Sequence, residues 1–304
     1  MRKMAFVCIS LLLLFQDLKA CEICGCGVGN FYMGLLPNFK TKFIGYRYGF
    51  LNYRSVMASD KTQFSNDSYQ TMEIWSGWNL GKRWQVLGFL PYHLNRKQSD
   101  DGVTEINGMG DVRVLANYQL FHTRRINQQN QTIEQQLWLG GGVKLPTGKY
   151  RINLADTSTN IGDVNAQTGT GSTNFLFNTL YALQINQWGW NTSLTYQLNT
   201  KNKDQYRFGN RFTFNSIGYY RFRVAGMGLS PNLGILYEHS DRNQWAGIQQ
   251  DLTGGFIWNA SMGVECNFNK ITIGINAQLP VKQQFAEGQT RSTLRGMVHL
   301  SFAL

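Results

Sequence analysis

The chain has 304 residues and a formal net charge of +11, carried by Lys and Arg that are scattered along it. Without a basic cluster, nucleic acid is not an expected partner, and a positively charged interior or an anionic membrane surface is the more natural reading. Beyond the first twenty residues no stretch approaches eighteen consecutive apolar residues, so no spanning helix is expected.

The chain opens MRKMAFVCISLLLLFQDLKA. Arg2 and Lys3 give a positive start, Met4 to Phe15 a short apolar run, and Ala20 a small residue at a cleavage position. Residues 1–20 therefore read as a secretory signal, too short for a spanning helix. Leu18-Lys19-Ala20-Cys21 also resembles a bacterial lipobox, so plain cleavage and lipidation of Cys21 both stay open.

Residues 21–37 form a Cys-rich segment, expected in the periplasm, that begins CEICGCGVGN. In an oxidising compartment Cys21 could pair with Cys24 or Cys26. Alternatively Cys21, Cys24 and Cys26 hold Cu(I) or Zn through thiolates. Three thiols alone leave a tetrahedral zinc site one ligand short, and no histidine lies near. No other cofactor is expected. VGNFYMGLLP, 28–37, reads as a small plug entering from the periplasmic side, or as a tether along the membrane surface.

From residue 38 to 304 the pattern changes to period two. ITIGINAQLPV sets Ile271, Ile273, Ile275, Ala277, Leu279 and Val281 against Thr272, Gly274, Asn276 and Gln278. WGWNTSLTYQL, FIWNASMGVECNF, DVRVLANYQLF and TLRGMVHLSFAL do the same. Such alternation marks strands with a different solvent on each face. Twelve spans emerge: 39–53, 68–80, 84–95, 110–121, 135–146, 173–185, 188–199, 206–222, 227–239, 254–268, 271–282 and 290–304. Each is near the length of a tilted membrane strand.

Links at Gly81-Lys82-Arg83, Asn186-Gln187, Val224-Ala225 and Asn269-Lys270 are short. GKYRINLADTSTNIGDVNAQTGTG, SDDGVTEINGMG, HSDRNQWAGIQQD and FAEGQTRS are longer links between them. HTRRINQQNQTIE breaks the rule, being a long link on the short side. The fold class expected is all-β: a closed antiparallel transmembrane β-barrel of about 12 strands in the outer membrane. Its short turns and both termini would be periplasmic and its longer loops extracellular. The rival is a secreted β-sandwich, whose outward face should be polar, whereas here the aromatic-rich face looks outward.

The same alternation directs Arg47, Glu73, Arg113, Lys144, Arg211, Glu265 and Arg295 into the lumen. They could line a path for a polar or anionic solute, or pair with one another and close the core. His93 and His299 also point inward, and Cys266 points to lipid. No serine–histidine pairing stands out, and LPTGKY lacks the phosphate-loop frame, so no enzyme is expected.

Three stretches carry a family resemblance: GMGDVRVLANYQLF at 108–121, GGVKLPTGKY at 141–150 and TGTGSTNFLFNTLYAL at 168–183. Together they resemble the outer-membrane barrel transporters grouped with the meta-pathway phenol-degradation family. The opening CEICGC is similar to the C-x-x-C-G-C of its Bacteroidetes-type members. The resemblance implies a channel or transporter for a small-molecule solute, set in outer-membrane lipid, without identifying the solute. The alternative is a non-transporting barrel, an adhesin or an anchor for a periplasmic metal-handling partner.

Overall fold

A strand whose side chains alternate between oil and water can satisfy both only if its backbone groups are all paired and its sheet has no open edge. The computed structural model, which describes residues 42–56, 64–99, 102–150 and 166–304, meets that demand by closure. In chain order the strands are β1 (Phe43–Val56), β2 (Phe64–Leu80), β3 (Trp84–Ser99), β4 (Gly102–Met109), β5 (Arg113–Ile126) and β6 (Thr132–Lys144). Next come β7 (Asn174–Ile185), β8 (Trp188–Leu198), β9 (Tyr206–Arg207), β10 (Arg211–Tyr220) and β11 (Phe222–Val224). The last are β12 (Met227–Ser240), β13 (Gln244–Trp245), β14 (Ile248–Gln249), β15 (Gly255–Phe268), β16 (Ile271–Phe285) and β17 (Thr290–Ala303).

Neighbours pair antiparallel around a ring: β1 with β2 and β17, and β10 with β8 and β12. β4 and β5 pair in turn with the two halves of β3, so they form one interrupted stave. β11 continues β10 along β12. The result is a closed antiparallel barrel of 12 strands. The short β9, β13 and β14 form a separate three-stranded sheet over the long-loop end.

The outside of the wall is the apolar side. Leu233 is 68% exposed, Ile275 55% and Trp190 52%, while Arg295 is 2% and Glu73 3% exposed. That inversion excludes the β-sandwich, whose outer face must be wetted. Around the short-turn end the outward residues include Trp78, Trp84, Trp188, Tyr220 and Phe222, with Trp84 packed on Tyr118 and Trp188 on Tyr220. Such a belt suits the membrane–water boundary.

Two expected links are strand instead. HTRRINQQNQTIE is not a long loop: β5 and β6 extend through it and leave a turn at 127–131. SDDGVTEINGMG is mostly β4, hydrogen-bonded to the outer half of β3. HSDRNQWAGIQQD contributes β13 and β14. A bulge between Leu51 and Tyr53 of β1 and the facing Arg295 and Ser292 inserts an extra residue into β17. Ser292 is therefore buried and Thr293 exposed, the reverse of strict alternation.

Candidate functional site: the barrel interior

The lower interior is aromatic. Trp75 and Trp78 are three residues apart on β2, so their indoles face opposite sides of the wall. Trp75 is 2% exposed and Trp78 47%. Inside, Trp75 meets Phe43 edge-on at 4.6 Å and stacks on Phe89 at 6.4 Å between centroids. Leu87, Leu115 and Leu176 complete the cluster. Gly77 leaves room for the Phe43 ring, which holds all three nearest atoms to any Cβ placed there.

Above it lies a layer of charge. The Glu73 carboxylate accepts from Arg47 Nε at 2.5 Å through one oxygen, and its other oxygen pairs with the Arg113 guanidinium. Both guanidiniums lie over the Phe89 ring, at 5.1 and 5.2 Å, and Arg47 also lies over Trp75 at 4.9 Å. One carboxylate thus bridges two cations that each lie over an aromatic ring.

On β17, the neighbour of β1, Arg295 Nη1 donates to Glu238 Oε2 of β12 at 2.5 Å and Nη2 to the Tyr53 hydroxyl at 3.3 Å. Tyr53 is edge-on to Tyr69 and Phe285, with Leu51 and Ile257 alongside, forming a second apolar level nearer the long loops. Lower down, His299 Nε2 stands 3.8 Å from Glu265 Oε1.

A third cluster gathers around Asp111, in the break between β4 and β5. One of its oxygens accepts the Gly148 N–H at 3.0 Å. The other accepts the Thr170 N–H at 2.9 Å and hydroxyl at 2.7 Å, and lies 3.0 Å from Lys144 Nζ. Gly148 and Gly169 cross so closely that a Cβ on either would strike the other's backbone. Residues 166–172 are thereby drawn into the mouth, where Asn95 Nδ2 donates to the Ala166 carbonyl at 2.8 Å. The three stretches GMGD, KLPTGK and TGTGS meet at this one carboxylate.

The short-turn end has a different character. Counting the turns and the three strand residues beside them, the described residues there carry eight basic side chains, Lys42, Lys82, Arg83, Arg124, Arg125, Arg221, Arg223 and Lys270. Glu134 is the single acidic one by the same count. Glu134 accepts from His122 Nε2 at 2.7 Å and from Gln136 Nε2 at 3.3 Å.

Arg47, Glu73, Arg113, Lys144, Glu265 and Arg295 all have buried side chains on the interior face. Arg211 is the half-buried first residue of β10, in register with the buried Gln197. Glu73, Arg47 and Arg113 are brought together; Lys144, Glu265 and Arg295 each join a different partner. Alternation alone did not single out Asp111, which lies in a strand break, or Asp67 and Lys97, buried near the long-loop end. The odd spacing of the two tryptophans was the available signal for Trp75. Cys266 is half-buried, its Sγ 3.9 Å from Met227 Sδ on the outer face. Cys21, Cys24 and Cys26 lie outside the described residues, among which no group of His, Cys, Asp and Glu is arranged to hold a metal.

No family model and no curated protein matches the sequence. Among solved structures the chain is similar to an outer membrane channel from Pseudomonas putida F1, at 16% identity over 87% of this chain and 96% of that one, with a TM-score of 0.56. It is also similar to the beta domain of the Bordetella autotransporter Brka (12% identity, 86% and 99% covered, TM-score 0.45). The translocator domain of the autotransporter NalP from Neisseria meningitidis follows (10% identity, 89% and 91% covered, TM-score 0.45). At such identity the likeness speaks for the fold alone, and the chain has the fold of an outer-membrane β-barrel.

Proposed function

We propose that this barrel passes a small polar or anionic solute across the outer membrane, and that its interior is closed in the present conformation. The observation that carries the reading is the buried layer of Arg47, Glu73 and Arg113 inside an apolar-faced wall. Removing charges from water costs several kcal/mol per ion before pairing offsets it. A barrel that served only as an anchor would be filled more stably with apolar side chains. The likeness to a barrel described as an outer membrane channel agrees with this reading. The short-turn end is assigned to the periplasm and the long-loop end to the exterior, following the usual asymmetry of such barrels. Residues 21–37 would enter from the periplasmic side as a plug, with the fate of Cys21, Cys24 and Cys26 set by oxidation, lipidation or a soft metal.

Purified protein in planar bilayers tests the proposal. Discrete conductance steps, increased when residues 21–37 are deleted, are expected. A membrane that stays silent with both forms overturns it in favour of a non-transporting barrel.

A further inference from the structure

At the short-turn mouth a polar cavity of about 370 Å³ opens on the inner face of the wall, lined by Arg124, Thr132, Glu134, Gln184, Asn186 and Gln187. Arg124 and Glu134 are cross-strand partners in the β5–β6 register, as are Glu134 and Gln184 between β6 and β7. The expected Arg124–Glu134 ion pair is nevertheless not made, because the carboxylate turns to His122 and Gln136. The Arg124 guanidinium makes no hydrogen bond or ion pair with any described residue. Its planar fork of donors faces a space of small-molecule size.

The neighbouring groups fit the same ligand. Asn186 uses its side-chain oxygen to accept the Thr132 N–H at 2.9 Å, which leaves its amide N–H groups unengaged. Arg221 stands next to the cavity, its Nη1 donating to Gln184 Oε1 at 3.4 Å. The surrounding end of the barrel has the eight-to-one excess of basic side chains described above, which focuses anions toward the mouth. A guanidinium with free donors beside neutral amide N–H groups is the arrangement that grips carboxylate or phosphate oxygens.

We propose that this cavity is a binding site for a small oxyanion, a carboxylate or a phosphate, held by the Arg124 guanidinium at the short-turn mouth. The claim concerns binding and stands apart from conduction, so a barrel silent in planar bilayers leaves it intact.

Isothermal titration of the full chain in detergent at low ionic strength tests it, with succinate and inorganic phosphate as separate probes. Saturable binding of one equivalent is expected for at least one probe, and the choice between them identifies the source of the oxyanion. Arg124→Gln should weaken it by roughly tenfold or more, since hydrogen bonds to charged groups are the stronger kind. Glu134→Gln, which removes the one negative charge at the site, should tighten it. Arg96→Gln, on an exposed arginine at the long-loop end, should leave it unchanged. Arg124 is itself exposed, so loss of binding in its variant does not reflect unfolding; unshifted gel mobility on heating checks this. The proposal is overturned by absence of saturable binding of either probe, or by equal affinity in the Arg124→Gln and Arg96→Gln proteins.

Discussion

Asp111 holds Thr170 by two bonds at once, accepting its backbone N–H at 2.9 Å and its hydroxyl at 2.7 Å across 59 residues of sequence. The same oxygen lies against the Lys144 ammonium, and both ionic side chains are at most 5% exposed. Asp111→Ala leaves a buried cation without its partner and frees the crossing of Gly148 and Gly169. Stability should fall by about 3–5 kcal/mol, the usual result of breaking a buried pair from one side. Urea unfolding in lipid vesicles measures this, and limited proteolysis should now cut between Thr168 and Ser172, which are buried in the parent. An unchanged unfolding midpoint would show that the carboxylate does not fasten the segment.

Glu73 is the bridge between Arg47 and Arg113. Glu73→Gln sets two guanidiniums side by side with no counter-charge and should cost about 3–5 kcal/mol. Adding Arg113→Gln to that variant should restore part of the loss, because the two substitutions act on one network. Strict additivity in the double variant would argue against the bridge.

Gly77 and Phe43 form a size-matched pair. Gly77→Ala drives a methyl into the Phe43 ring and should destabilise by about 1–3 kcal/mol, as overpacking does. Phe43→Leu in the same chain should recover some of that stability, measured by the same unfolding. If the smaller side chain gives no recovery, the clash lies elsewhere.

Leu233 stands near the middle of β12 on the outer face and is 68% exposed. Leu233→Arg should cost about 2–4 kcal/mol in a bilayer, the range for a cation at mid-depth on the lipid side. Val281→Arg, toward the long-loop end of β16, should cost less, about 0–1 kcal/mol. Equal costs at the two positions would contradict this placement of the hydrocarbon band.

Trp75 fills the lower interior. Trp75→Ala should raise single-channel conductance while lowering stability by about 3–5 kcal/mol through the cavity it leaves. Arg113→Glu should shift ion selectivity toward cations, read from reversal potentials in a salt gradient. Unaltered conductance and selectivity in both would place the conducting path away from these side chains.

Period-two alternation made the wall legible because lipid on one side and a polar interior on the other leave different residues on odd and even positions. The strands β7, β8, β15 and β16 were readable for that reason. β4 and the short-turn ends of β5 and β6 were not, since a hairpin that projects past the membrane is polar on both faces and its alternation disappears. Alternation also names a face but not a neighbour. It turned Glu73 and Arg295 inward, yet gave no sign that one would take two arginines and the other would take Glu238. The stretches around Asp111, Lys144 and Thr170 were conspicuous in the sequence, but only the register that sets β6 between β5 and β7 shows them converging on one carboxylate.

The pairing of β1 with β17 has a consequence for biogenesis. Arg295 bonds Tyr53 across 242 residues, and Phe43 lies in register with Ala303. The seam cannot zip until β17 is in place, so an unfinished sheet presents two unsealed edges to its surroundings. Closure of the ring therefore rests on the pairing most distant in sequence, and a chain cut short before β17 would leave β1 and β16 as open edges.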